Sequence, residues 1–121
     1  MTQKVTIWHY PRCSKSRKTL AILRDEGLDI EIRRYLVDTP DADELRSALE
    51  ELGIAPRQLV RTKEDIVADV DGQQLGDDDW IELMVENPKI IQRPIVFYNG
   101  DAALGRPPES IYGILPSTTE G

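Results

Sequence analysis

The order of apolar and polar residues divides the first part of the chain into three short segments. In segment 4–10, apolar and β-branched residues alternate with polar ones, which predicts a β-strand that ends at Pro11. Segment 14–26 carries apolar residues at helical spacing, and Gly27 stands where a glycine commonly follows a helix. Segment 28–33 alternates again and predicts a second strand with one buried face. This order predicts a βαβ unit, in which the two strands are parallel.

The middle of the chain, at about 39–88, has the apolar spacing of helices rather than of strands. Thr39-Pro40 is typical of a helix start, with Thr39 as the capping residue and the proline as the first helical residue. The apolar positions that follow share one helix face and are Leu45, Ala48, Leu49 and Leu52. Three further helices are predicted, at 56–60, within 62–76, and after a capping pair formed by Asp79 and Glu82.

Strand patterns return near the C-terminal end of the chain. Segment 95–98 predicts a third strand, and segment 101–104 predicts its antiparallel partner. Asn99-Gly100 between them favours a type I′ hairpin turn, because both central residues of that turn need positive φ. Pro107-Pro108 then predicts the start of a last helix.

Without the helical block the order of elements is βαβ–ββα. This order predicts an α/β, thioredoxin-like fold with a mixed four-stranded sheet, and a helical insertion between the second and third strands. At 121 residues the chain is expected to form one domain, over 1–116 with the insertion at about 39–88, followed by a frayed tail at 117–121.

Charge and cysteine content narrow the classes of function. Fifteen Lys and Arg against 22 Asp and Glu give a net charge of −7, which argues against nucleic-acid and anionic-membrane partners. The one cysteine, Cys13, excludes an internal disulfide and a cysteine-based zinc site, and we expect no metal. No apolar run approaches transmembrane length, so we expect a cytoplasmic protein.

Cys13 follows a predicted strand and precedes a predicted helix, in the sequence H-Y-P-R-C-S-K-S-R. Backbone N–H groups at a helix N-terminus favour a thiolate and can bind an oxyanion. The alternative is an inert core cysteine, against which the polar run after Cys13 argues. Thr19 excludes the C-x5-R loop of phosphatases, and Ser16 excludes a C-x-x-C dithiol. A monothiol nucleophile remains.

H-Y-P-R-C-S-K-S-R-K-T-L, the lone Arg61, Arg93-Pro94 and R-P-P from Arg106 to Pro108 resemble the ArsC family of glutathione/glutaredoxin-linked arsenate reductases, most closely its short branch. The resemblance covers nearly the whole chain. It implies that Cys13 is the nucleophile and that three arginines clamp the oxyanion, namely Arg61, Arg93 and Arg106. It also implies that His9 and Ser16 favour the thiolate, and that Pro94 follows a cis peptide bond. Ser14, at the predicted helix start, is a further candidate for supporting the thiolate.

The chain departs from the family pattern at Tyr10, where the family usually has Asn. Alternative roles stay open for the other residues. Each arginine has an alternative as an ordinary surface residue, and His9 has one as a strand-end imidazole bonded to backbone.

The resemblance implies reduction of arsenate to arsenite through a covalent cysteine–arsenic adduct, resolved by glutathione and glutaredoxin, in arsenic detoxification. Since the chain has one cysteine, the reductant must be an external thiol. Glutathione is then a co-substrate, no cofactor is bound, and we expect a monomer. Two other functions remain: a non-enzymatic adaptor like the Spx-type regulators, and a general monothiol oxidoreductase.

Overall fold

The computed structural model describes residues 4–61, 64–70 and 74–115, leaving out the side chains of 68 and 69. The tail expected at 117–121 lies outside these residues. The chain divides into two compact units. The first unit joins Met1–Tyr35 to Arg93–Gly121, and the second is Leu36–Gln92.

A mixed four-stranded sheet forms the centre of the first unit. Its strands are β1 (Lys4–His9), β2 (Asp29–Arg34), β3 (Ile95–Tyr98) and β4 (Asp101–Leu104). The spatial order is β2-β1-β3-β4, in which β1 pairs with β2 in parallel and the other two pairs are antiparallel. The predicted mixed sheet and the βαβ–ββα order of its strands are thereby confirmed.

Burial differs between the two strands of the βαβ unit. Val5 and Ile7 of the inner strand β1 are fully buried. Their partners in β2 are Ile30 and Ile32, and Ile32 is 41% exposed. The prediction of one buried face was therefore only partly right for this strand. β2 is an edge strand of the sheet, which leaves part of its apolar face uncovered.

The turn between β3 and β4 has the predicted geometry. Asn99 has φ 52° and Gly100 has φ 84°, so both central residues are in the left-handed region that a type I′ turn requires. The turn fixes the register in which Tyr98 faces Asp101 and Ile95 faces Leu104. It thereby sets where the chain leaves the sheet after β4.

Helix α1 (Ser14–Asp25) follows β1, and Gly27 after it has the predicted left-handed conformation, with φ 70°. The buried apolar core of this unit is formed by Val5, Ile7, Leu20, Leu23, Val96 and Ile111. The last helix is a 3₁₀-helix over Pro108–Gly113, so the expected last helix is present in a shorter form. A stretch of only six residues that ends at Gly113 is of the length at which 3₁₀ turns are common.

The second unit is the helical insertion. It contains α2 (Ala42–Leu52), a 3₁₀-helix (Pro56–Leu59), α3 (Asp65–Val70), α4 (Asp77–Glu86) and a second 3₁₀-helix (Pro88–Ile90). An antiparallel bridge joins Val60, directly after the first 3₁₀-helix, to Ile91, directly after the second.

Two predicted helix starts were wrong. Asp41, not Thr39, caps α2: its carboxylate accepts from the Glu44 N–H at 2.8 Å, and Glu44 accepts from the Asp41 N–H at 3.1 Å. A carboxylate followed three residues later by glutamate completes a capping box, which the threonine does not. Gly76 caps α4, and its N–H donates to Asp79 Oδ2 at 3.0 Å. The aspartate therefore lies inside the first turn of α4.

Charge is unevenly divided between the two units. The first carries ten Lys and Arg against seven Asp and Glu, a net charge of +3, and the second carries five against fifteen, a net charge of −10. The negative net charge of the whole chain therefore comes from the helical insertion. In the described part of the chain, no helix has both the length and the apolar character needed to cross a bilayer.

Candidate functional site

Cys13 is the N-cap residue of α1. Its backbone is extended, with φ −89° and ψ 123°. Its N–H donates to the carbonyl of Tyr10 at 3.0 Å, and its own carbonyl accepts from the Arg17 N–H at 3.0 Å. These bonds close a tight turn between β1 and α1, with the thiol partly exposed at the N-terminus of the helix. The alternative of a fully buried core cysteine is therefore excluded.

The surroundings of Cys13 favour its thiolate form. Partial burial acts to raise the pKa, but the backbone N–H groups of Ser16 and Lys15 lower it, and so do the charge and a hydrogen bond of Arg93. The lowering effects are the larger, so the pKa of Cys13 lies below its ordinary value.

Ser16 connects His9 to the turn. Its Oγ lies 2.6 Å from His9 Nδ1 and accepts from the Tyr10 N–H at 3.1 Å. Ser16 and His9 are both buried, at 0% and 6% exposure. The hydroxyl thus fixes the end of β1 relative to α1, while the backbone N–H of the same serine acts on Cys13. Ser14, the first residue of α1, is exposed.

His9 is held in its neutral form. Burial lowers its pKa, and the positive charges of Arg34, Arg24 and Arg17 lower it further. A neutral imidazole forms the bond to Ser16 in either tautomer, with the hydroxyl donating or accepting at Nδ1. Because it carries no positive charge near neutral pH, His9 acts on the site through this bond rather than through charge.

Arg93 lies just before β3 and is only 5% exposed. Its Cζ is 4.6 Å from the centre of the Tyr10 ring, and its Nη1 donates to the Tyr35 hydroxyl at 3.3 Å. The peptide bond to Pro94 is cis. A buried guanidinium needs compensating contacts, and here a ring face, a hydroxyl and the Cys13 thiol supply them.

Arg106 lies just after β4 and is linked to Arg93. Its Nη1 donates to the carbonyl of Arg93 at 3.1 Å, and its peptide bond to Pro107 is also cis. The preceding residue, Gly105, donates its N–H to the carbonyl of Pro94 at 2.9 Å. The two Arg-Pro segments are therefore joined by hydrogen bonds at the same end of the β3–β4 hairpin.

Gly105 allows this approach because it has no side chain. A Cβ at this position would lie 2.7 Å from Pro94 Cγ and closer still to Thr19 Oγ1. Real Cβ atoms do not approach other atoms so closely. The glycine therefore permits close contact between the end of β4, the segment before β3, and α1.

Arg61 belongs to the second unit. Its N–H donates to the carbonyl of Ile90 at 2.7 Å, and its Nε lies 3.9 Å from Glu64 Oε2. The structure therefore brings Cys13, His9, Ser16, Arg93 and Arg106 together within the first unit, whereas Arg61 stands in the helical insertion.

Sequence reasoning did not find the two tyrosines that contact Arg93. Tyr10 stands out in the sequence only as a departure from the family pattern, and Tyr35 carries no local signal, because it lies 58 positions before Arg93. An aromatic residue directly before the P-R-C turn was the one available indication, since arginine stacks readily on tyrosine.

The first unit thus joins a thiolate-favouring cysteine, a helix N-terminus and two arginines. Arginine donates in-plane, charge-assisted hydrogen bonds that suit a tetrahedral oxyanion, and it stays charged at all physiological pH values. The N-terminus of α1 adds backbone N–H donors beside the thiol. Chemically, the arrangement can bind an oxyanion next to a nucleophilic sulfur.

Comparison with known proteins gives the same picture over nearly the whole chain. An arsenate reductase from Neisseria meningitidis is 38% identical over 115 residues, covering 93% of this chain and 98% of the relative. The Escherichia coli protein YfgD, described as uncharacterized, is 44% identical, covering 95% and 99%. The solved structure of an arsenate reductase from Vibrio cholerae superposes with a TM-score of 0.91 at 41% identity, covering 95% and 100%.

These relatives are similar to this chain along its full course rather than at one motif. The family model described as "ArsC family" matches residues 8–114. This range begins before Cys13 and extends beyond Arg106, so it includes both units. The chain is a member of the ArsC family.

Proposed function

We propose that the protein reduces arsenate to arsenite, with Cys13 as the nucleophile. The observation that carries the proposal is the position of the buried Arg93 guanidinium, whose Cζ lies 4.6 Å from the centre of the Tyr10 ring on the Cys13 turn. From there its positive charge lowers the pKa of the thiol at the N-terminus of α1. A thiolate beside a buried arginine is suited to attack the central atom of a bound oxyanion. The names of several relatives support arsenate as that oxyanion.

The proposed reaction begins when the thiolate forms a sulfur–arsenic bond and one arsenate oxygen leaves as water. Glutathione replaces a second oxygen in the same way. A glutaredoxin thiolate then attacks the glutathione sulfur, and the electron pair of that sulfur–arsenic bond stays on arsenic, reducing As(V) to As(III). Water releases arsenite and restores Cys13. Two external thiols are oxidised to one disulfide, as the single cysteine of this chain requires.

The arginines have separate roles in this proposal. Arg93 lowers the pKa of the thiol and binds arsenate, and Arg106 contributes a second cation from the adjacent Arg-Pro segment. For Arg61, we propose a third contact to the oxyanion on the strength of the family resemblance. His9 and Ser16 hold the turn, and Ser14 begins the helix. We expect a monomer that acts in the cytoplasm, where reduced glutathione is available.

The proposal is tested by measuring arsenite formation from arsenate with glutathione and glutaredoxin. We expect turnover in the native protein, none in Cys13→Ser, and a loss of roughly tenfold or more in kcat/KM in Arg93→Ala, because a charged hydrogen bond is removed. Arg46→Ala is the matched control, since this exposed arginine of α2 pairs with two exposed carboxylates, Asp43 and Asp78.

A second assay separates this reaction from general monothiol chemistry. Reduction of a glutathione mixed disulfide needs the thiolate but no oxyanion site, so an Arg106→Ala variant that loses both activities equally would contradict the arsenate proposal. Recovery of RNA polymerase in a pull-down, without any arsenate turnover, would instead favour the adaptor function.

A further inference from the structure

We infer that Tyr10 is a positioning residue for Arg93, and that its ring face holds the guanidinium where it acts on Cys13. This inference deepens the proposed function and rests on it for the identity of the oxyanion. It starts from the distance of 4.6 Å between Arg93 Cζ and the centre of the Tyr10 ring. At this distance a guanidinium over a tyrosine ring forms a cation–π contact.

The contact is strengthened by burial. Arg93 is 5% exposed, and cation–π attraction grows when water is removed from the cation. A buried cation without such contacts would be costly to the fold, so a ring face beside it stabilises both its charge and its position. A cation–π contact uses none of the five N–H donors, which lie in the guanidinium plane. One of them bonds to the Tyr35 hydroxyl at 3.3 Å, and the positive charge of the same side chain lowers the pKa of Cys13.

Tyr10 is itself fixed by backbone bonds on both sides. Its N–H donates to Ser16 Oγ at 3.1 Å, and its carbonyl accepts from the Cys13 N–H at 3.0 Å. The ring therefore stands on the same turn that carries the nucleophile. Tyr10 therefore links the position of the Arg93 charge to the position of the Cys13 thiol.

The test compares two substitutions at Tyr10. Tyr10→Phe keeps the ring face, whereas Tyr10→Leu keeps apolar bulk but removes the π system. In Tyr10→Leu we expect the pH midpoint of Cys13 alkylation by iodoacetamide to rise, and KM for arsenate to rise roughly 3- to 30-fold with a smaller change in kcat. In Tyr10→Phe, the alkylation midpoint and KM for arsenate should both stay close to the values of the native protein. Tyr112→Leu is the matched control, because Tyr112 is 50% exposed.

A double variant tests whether Tyr10 acts through Arg93. If it does, the double variant Tyr10→Leu with Arg93→Ala should have the same pH midpoint of Cys13 alkylation as Arg93→Ala alone. A Tyr10→Leu protein with the native alkylation midpoint would overturn the inference, and so would a Tyr10→Phe protein shifted as far as Tyr10→Leu. Should Tyr10→Leu fail to fold by circular dichroism, Tyr10→Met takes its place. The alkylation measurements need no arsenate, so they decide the inference even if the proposed reductase activity is absent.

Discussion

At the scale of single residues, Ser16 acts on the site through two different groups. Its backbone N–H favours the Cys13 thiolate, whereas its hydroxyl connects His9 and the N–H of Tyr10. The first contribution belongs to any residue at the third position of α1, but the second needs a hydroxyl. The two contributions are therefore separable by substitution.

Ser16→Ala should separate them. The change leaves the buried His9 ring nitrogen and the Tyr10 N–H without their partner, so we expect the free energy of unfolding in urea to fall by about 1–3 kcal/mol. The N–H that lowers the pKa of Cys13 is retained, so the thiolate should still form below the pH of an ordinary thiol and be lost only as pH falls through that lowered pKa. Iodoacetamide alkylation against pH measures this.

The control for Ser16→Ala is Ser47→Ala, at an exposed position of α2, which should leave stability and alkylation unchanged. An alkylation midpoint at the ordinary thiol value in Ser16→Ala would show that the hydroxyl, rather than the backbone, supports the thiolate.

At the scale of elements, the site depends on how closely the end of β4 approaches α1 and the segment before β3. Gly105 permits this approach, and the same end of the hairpin carries both Arg-Pro segments. The type I′ turn at the other end of the hairpin sets the strand register, and this register places the two Arg-Pro segments side by side. Local turn geometry thus determines which side chains meet at the thiol.

Gly105→Ala should disturb both stability and oxyanion binding. The added methyl group meets Pro94 and Thr19, so overpacking should lower the free energy of unfolding by about 1–3 kcal/mol. Because Arg106 follows directly, KM for arsenate should rise more than kcat falls. Urea unfolding and steady-state kinetics measure the two effects.

Gly113→Ala is the matched control, since a Cβ there has nothing within 4 Å and φ is not in the left-handed region. Equal behaviour of the two alanine variants would contradict the role assigned to the close approach at Gly105.

The elements also show how far sequence alone reaches. Alternation predicted the strands, and Asn99-Gly100 predicted its turn, because these signals are local. The predicted cap of α2 was two residues too early, because Thr39 and Asp41 are both good capping residues. Asp41 is the cap because Glu44, three residues later, completes a capping box with it. The contact of Arg93 with Tyr10 spans 83 positions and arises only once the strands pair. The family resemblance indicated which arginines belong to the site, but not the contacts that hold them in position.

At the scale of the whole molecule, net charge and local charge have opposite signs around the thiol. The chain carries −7, yet the side chains of Arg12, Lys15, Arg17 and Lys18 are all exposed around Cys13 and the first turns of α1. Potential at short range is set by the nearest charges, and it is screened by salt over about 8–10 Å. An anion close to Cys13 therefore meets a positive field on a protein that is negative overall.

Two alkylating reagents report this field. Iodoacetate is an anion and iodoacetamide is neutral, so the ratio of their rates at Cys13 measures the local potential independently of the thiolate fraction. At low salt, we expect the ratio of the iodoacetate rate to the iodoacetamide rate to be higher at Cys13 than at the thiol of free glutathione. This difference should decline as salt is added. Lys15→Gln with Lys18→Gln should reduce it.

Asp29→Asn with Asp101→Asn is the matched change of two charges and should leave the ratio unaltered, because both exposed carboxylates lie at the edge of the sheet opposite the Cys13 turn. A ratio below that of free glutathione would mean that the net charge of the whole molecule, rather than the neighbouring cations, governs access to the thiol.

The partly exposed position of Cys13 at the start of α1 has a consequence for oxidative stress. A thiolate that is open to solvent reacts readily with peroxide and forms a sulfenic acid. Many redox proteins protect this species by forming a disulfide with a neighbouring cysteine, but this chain has none to offer. Its recovery would therefore depend on the supply of small thiols, and exhaustion of that supply would lead to irreversible sulfinic acid. Resistance to arsenate and resistance to peroxide would then draw on the same cellular pool.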